Sequence, residues 1–176
     1  NRPIASDHVP TVTFSMLSAP AFIEGPTAVQ IIDGRAMTQL RAGNSTGTAR
    51  VLASAPGLRG DTLKVVLRAG SVASLELSAD PPSIHLDETD RAELTALLRD
   101  ARGNAIDRSG DRVQFSLGSL GTFPAGLAAV NADSGVARSV VTVAEPGTLR
   151  VQARVGDAIG QLDIPVINTQ PPYATP

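Results

Sequence analysis

The chain says the same thing twice. Short runs in which apolar and polar residues alternate lie between glycine and proline signals, and the same runs recur about one hundred residues later. Val12-Thr13-Phe14-Ser15-Met16 returns as Val113-Gln114-Phe115-Ser116-Leu117, and Ala49-Arg50-Val51-Leu52-Ala53 returns as Leu149-Arg150-Val151-Gln152-Ala153. Leu63, Val65 and Leu67 are matched by Leu162, Ile164 and Val166, Phe22 by Phe123, Asp33 by Asp133, and Gly47-Thr48 by Gly147-Thr148. Side chains two apart share one face of a strand, so each run predicts a half-buried antiparallel strand, with Arg50 and Arg150 turned to solvent in theirs. Turn signals spaced roughly every 8–12 residues predict an all-β sandwich, and a repeat of about one hundred residues is the length of one such domain.

The two copies differ at their start. Ahead of Phe115 the second carries Ser74-Leu75-Glu76-Leu77, Pro81-Pro82-Ser83-Ile84-His85-Leu86 and Ala92-Glu93-Leu94-Thr95-Ala96-Leu97-Leu98. Ahead of Phe14 the first has only Asn1–Thr13, which matches the stretch from about Gly103. The expected layout is a partial sandwich over 1–68, a complete one over 69–167 and a proline-rich tail or linker over 168–176. A sandwich without its opening strands leaves core and edge bare, so those strands are expected upstream in a longer parent chain, with donation by a neighbouring subunit as the less favoured alternative. The link from Leu67 to Ser71 is short, which predicts units held end to end.

Residues 87–99 pull two ways. An acidic, cap-like start and strong helix formers favour a helix, whereas Leu94, Ala96 and Leu98 alternate with Glu93, Thr95, Leu97 and Arg99. The turn Asp100-Ala101-Arg102-Gly103-Asn104 follows at once, and the reading adopted is a strand entering a hairpin. Gly103-Asn104 and Asp33-Gly34 are expected to supply the positive backbone angles of tight turns. Phe14 and Phe115 are expected to be the largest core side chains of their units.

Ala92–Ala96, the Asp100-Ala101-Arg102-Gly103-Asn104 turn, Val113-Gln114-Phe115-Ser116, Asp133-Ser134-Gly135-Val136-Ala137 and Gly147-Thr148-Leu149-Arg150-Val151-Gln152-Ala153 follow one another in order. In that order the second unit resembles the bacterial immunoglobulin-like domain of the invasin/intimin type. The resemblance covers about Ser71–Val166 well and reaches Asn1–Leu67 through Val12–Ser15, Asp33–Ala36 and Gly47–Val51. It implies two tandem Ig-like sandwiches, the first lacking its opening strands. It also implies adhesion, or presentation of a more distal domain, and supplies no binding residues that map here. Pro56-Gly57-Leu58-Arg59-Gly60 resembles a segment of Ig-like modules appended to glycosidases.

Composition removes several chemistries. With no cysteine and two histidines, His8 and His85, the chain can build neither a thiol centre nor a multi-histidine metal site. A net charge of −2 without a basic stripe argues against nucleic acid, and no apolar run is long enough to span a bilayer. There is no G-x-S-x-G elbow, and no nucleophile, base and acid converge in sequence.

Two candidates remain. Arg59-Gly60-Asp61 is the tripeptide integrins read at a loop tip, set against the plainer reading of a turn flanked by solvated charges. Asp87, Glu88 and Asp90, near His85, could offer oxygen ligands to a cation, against the favoured reading of a solvated acidic turn. No cofactor is expected. The functional expectation is a non-catalytic structural or adhesive region of an exported bacterial protein, on the cell surface, outside the cell or in the periplasm. Its partners would be proteins: neighbouring domains, other subunits or a surface receptor. The alternatives are an accessory module of a larger secreted carbohydrate-active enzyme, or a subunit of a surface filament or secretion assembly that exchanges strands.

Overall fold

A computed structural model describes residues 10–168; His8 and the 169–176 part of the tail lie outside the described residues. The chain divides into two compact units between Arg68 and Ala69. No helix occurs among the described residues.

The first unit contains β1 (Thr11–Ser18), β2 (Ala21–Ile23), β3 (Ala28–Gln30), β4 (Leu40–Ala42), β5 (Gly47–Ser54) and β6 (Asp61–Leu67). The second contains β7 (Val72–Asp80), β8 (Ile84–His85), β9 (Arg91–Asp100), β10 (Arg112–Leu117), β11 (Gly121–Thr122), β12 (Ala129–Asn131), β13 (Val136–Val143), β14 (Gly147–Val155) and β15 (Ala158–Ile167). In the second unit the sheet β12-β10-β14-β15-β8 faces the sheet β11-β13-β9-β7. Their inward side chains make one core, in which Ile84, Leu94, Leu98, Ile106, Val113, Val141, Leu149 and Ile164 are the largest fully buried apolar groups. This is a β-sandwich, as the alternation predicts, and it is immunoglobulin-like, as the resemblance implies.

The repeat is visible in the hydrogen-bonded register. Phe14 stands opposite Ala53 as Phe115 stands opposite Ala153. Val12 faces Val29 as Val113 faces Val130, and Val51 faces Leu63 as Val151 faces Leu162. Matching partners at an offset of about one hundred residues mean that corresponding residues direct the same pairing in both copies.

The 87–99 conflict resolves to strand. Ala92, Leu94, Ala96, Leu98 and Asp100 of β9 point inward and are buried, a period of two that a helix cannot present. Between two other strands, seven pairs to β13 and eight to β7 satisfy its backbone on both sides. That gain outweighs helix propensities of a few tenths of a kcal/mol, on the order of the differences among these residues.

Three expectations need correction. Phe115 is buried beneath Phe123, with ring centroids 6.3 Å apart, but its counterpart Phe14 is only half-buried. The reason is the missing layer: among the described residues the first unit has no counterpart of β7, β8 or β9, and buries only Ala21, Ala49 and Val51 among its apolar residues. In the 100–104 turn only Gly103 takes a positive φ, of 82°; Asn104 serves through its hydrogen bonds instead. And Asp33, φ 52°, matches Ser134, φ 49°, in turn position rather than Asp133, because each precedes a glycine at φ 76°.

Candidate functional site

Each candidate from the sequence occupies a definite place. Arg59-Gly60-Asp61 is exposed on the β5–β6 hairpin, but its glycine is not the apex. The chain reverses at Gly57, φ 76°, where the Leu58 amide donates to the Ala55 carbonyl over 3.1 Å. Asp61 already stands in the ladder opposite Ala53, and its carboxylate accepts the Thr62 amide at 2.8 Å. The tripeptide therefore runs down one limb of the hairpin.

Asp87, Glu88 and Asp90 lie on the turn between β8 and β9, where the Glu88 and Thr89 amides both donate to the His85 carbonyl at 2.8 Å. Asp90 sits 3.3 Å from the Arg91 guanidinium. No group of three or more His, Asp or Glu side chains among the described residues is placed to hold a metal ion. The His85 ring is half-buried beside the Ser83 hydroxyl, 3.4 Å away. Concavities are shallow. One of about 420 Å³ is lined by Asp90, Ser119, Thr122, Thr142 and Glu145, and none of its side chains is a nucleophile held against a base.

The most heavily built polar feature is one that spacing alone did not single out as functional. The carboxylate of Asp100, at the inner end of β9, is buried and accepts four donors. Oδ1 takes the amides of Arg102 and Asn104, each at 2.9 Å, and Oδ2 takes the Gly70 amide at 3.1 Å. The Asn104 side-chain amide reaches both oxygens, at 3.2 and 3.0 Å. The Gly70 carbonyl in turn accepts Arg108 Nη1 at 2.8 Å. The turn sequence so becomes a clasp that fastens the first residues of the second unit to its body. Only Arg68 and Ala69 lie between β6 and the clasped Gly70.

The Asn104 side chain above all, then the Gly70 amide, and after them the Asn104 and Arg102 amides, hold the Asp100 carboxyl far below its usual value of 3.8, against the opposing effect of burial. The Ser109 and then the Ser134 hydroxyls lower Asp133 in the same direction. A group that binds its proton more weakly folded than unfolded stabilises above its unfolded pKa, and the contribution fades as the unfolded chain takes up the proton first. Unfolding of the second unit, followed by circular dichroism, is therefore expected to become easier as pH falls below about 4. Asp100→Asn should be less stable than the parent at neutral pH and should show a flatter acid dependence; an unchanged slope would remove Asp100 from this role.

Fold and polar groups together define a class: tandem Ig-like β units, the second a full sandwich whose buried polar side chains, Asp100 and Ser139, are hydrogen-bonded within the fold. Residues 71–166 match the family Invasin, domain 3, and the chain belongs to that family. It is 26% identical over 193 aligned positions to the inverse autotransporter adhesin YeeJ of Escherichia coli strain K12, covering 97% of this chain and 8% of the relative's length. Among solved structures it is similar to InvD of Yersinia pseudotuberculosis, with 19% identity, a TM-score of 0.58, and coverage of 95% of this chain and 50% of that one. It is also similar to part of a β-glucuronidase of glycoside hydrolase family 2, at 14% identity, a TM-score of 0.52, and coverage of 91% of this chain and 18% of that one. Both structural likenesses speak to fold alone. The chain is an Ig-like module of the invasin type and not a catalytic domain.

Proposed function

We propose that this chain is a non-catalytic, surface-exposed segment of an exported bacterial adhesin, working as a spacer that holds more distal parts away from the cell. The observation that carries the reading is the repeat itself. The second sandwich uses its inward faces for core and its polar groups for turns and the Asp100 clasp, the first repeats its strand pairing, and no His, Asp or Glu cluster among the described residues is placed to hold a metal ion. Membership of the invasin family and similarity to an inverse autotransporter adhesin support the location. Partners would be proteins, contacted through neighbouring domains or sheet edges.

A deletion and a replacement of the whole segment test this. In the parent adhesin displayed on cells, a plain deletion of residues 1–176 should reduce attachment. Replacement by two unrelated sandwiches of equal length should restore it. Attachment that stays lost with the replacement would make the segment itself the adhesive element and overturn the spacer reading.

We read Arg59-Gly60-Asp61 as a hairpin limb, because its aspartate is engaged in the β5–β6 ladder. Asp61→Glu is expected to leave host-cell attachment by the purified chain unchanged. A clear drop would make the tripeptide a receptor contact.

A further inference from the structure

The second unit is entered and left at opposite ends. β7 begins with Val72 opposite Asp100 and finishes with Asp80 opposite Glu93, and Gly70 is fastened at the Asp100 end. β15 begins at that same end, where Ala158 lines a shallow concavity with Ser71 and Val72. It finishes at the other, with Ile167 beside His85. The nine residues of β7 span the distance between entry and exit, about 30 Å of strand. A pull on the two ends of the unit therefore runs lengthwise along β7 and β15 rather than across them.

Both strands are bonded against such a pull. β7 is laddered to β9 in eight pairs and β15 to β14 in nine. Antiparallel rungs stand perpendicular to their strands, so lengthwise sliding loads all of them together, whereas prying at an open end loads them one at a time. β8 then ties entry to exit. It follows β7 after Pro81-Pro82-Ser83 and pairs in parallel with β15, Ile84 opposite Val166 and His85 opposite Ile167. The Leu86 amide donates to the Ile167 carbonyl at 2.9 Å, and fully buried Ile84 would have to leave the core before β8 could slide. At the entry both polar groups of Gly70 are held. Its amide donates to Asp100 Oδ2 at 3.1 Å, and its carbonyl accepts Arg108 Nη1 at 2.8 Å. Arg108 is braced in turn by Asp111, 3.2 Å away.

We propose that the second unit is a tension-bearing module: β7 and β15 resist a lengthwise pull in shear, the β8–β15 pair couples them, and the Asp100 clasp is the first fastening the load meets. The source of the tension rests on the spacer reading, since a spacer between a cell and an attached surface carries whatever force separates them. The clasp then does more than add equilibrium stability. Forced unfolding follows the unfolding rate, and the clasp bonds stand directly in the path of the load.

The chain has no cysteine, so paired cysteines give unique handles for single-molecule pulling on the whole 1–176 chain. Arg68→Cys with Asn168→Cys loads the second unit along its strands. Glu145→Cys with Asn168→Cys pries β14 from β15, starting at the rung between Gly147 and Val166. At one loading rate the first pair is expected to yield at no less than about twice the force of the second. Asn104→Ala removes the side-chain amide from the Asp100 carboxylate, and is expected to lower the first force and leave the second unchanged. Equal forces along the two directions would overturn the proposal, and so would an Asn104→Ala loss that is the same in both. The attachment assay fails or succeeds separately: restoration by unrelated sandwiches bears on the spacer reading, and the ratio of the two forces bears on the tension-bearing role.

Discussion

Phe115→Ala is expected to lower the stability of the second unit by about 3–5 kcal/mol, the cost of emptying a large aromatic site in a packed core. Phe115 is 2% exposed, faces the opposite sheet and meets Phe123 at 6.3 Å and 57°. There is no tryptophan or disulfide to take over its part. The same change at Phe14 should cost less than half as much, because Phe14 is only half-buried and, among the described residues, the first unit has no counterpart of β7, β8 or β9 to pack over it. Far-UV circular dichroism in denaturant, with exchange mass spectrometry assigning each transition to its unit, checks the pair. Equal losses at the two positions would show that Phe14 is already sealed, and the open-face account would fail with it.

Gly135→Ala is the second large effect. Gly135 sits at φ 76° at the tip of the turn into β13, a backbone conformation that costs an alanine about 1–2 kcal/mol. A Cβ there would also lie 2.2 Å from the Ile106 carbonyl oxygen, which is backbone and cannot swing aside. The Ile106 amide donates to the Leu98 carbonyl, and the Gly135 carbonyl accepts the Leu98 amide, so displacing Ile106 disturbs the inner end of β9 as well. A total loss of about 3 kcal/mol or more is expected. Gly156→Ala is the control, since Gly156 has a positive φ of 56° but nothing within 4 Å of where the added methyl would sit, and it should lose only the conformational part. If both variants lose the same amount, the Ile106 contact contributes nothing.

Much of the fold was legible because its determinants are local. The period of two in Val113–Leu117 and Leu149–Ala153 places side chains on alternate faces whatever lies across from them, and Asp33-Gly34 and Ser134-Gly135 close tight turns through their own backbone angles. The candidate sites were less legible. Arg59-Gly60-Asp61 is a string in sequence, but whether its glycine forms an apex depends on the ladder register that captures Asp61. The Asp100 clasp joins residues thirty apart, Gly70 and Asp100, and only the turn residues gave any sign of it.

Alternation and turn chemistry act within a few residues of each other, so two all-β units, the first partial and the second complete, could be read before any tertiary contact was known. The tertiary structure settled the 91–100 strand that alternation already favoured over helix propensity, and it alone decided that Asn104 works through its side-chain amide and that Phe14 is half-open where Phe115 is sealed. Each of those outcomes depends on what stands opposite in space: two flanking strands for β9, a buried carboxylate for Asn104, and a covering layer that the described part of the first unit does not contain.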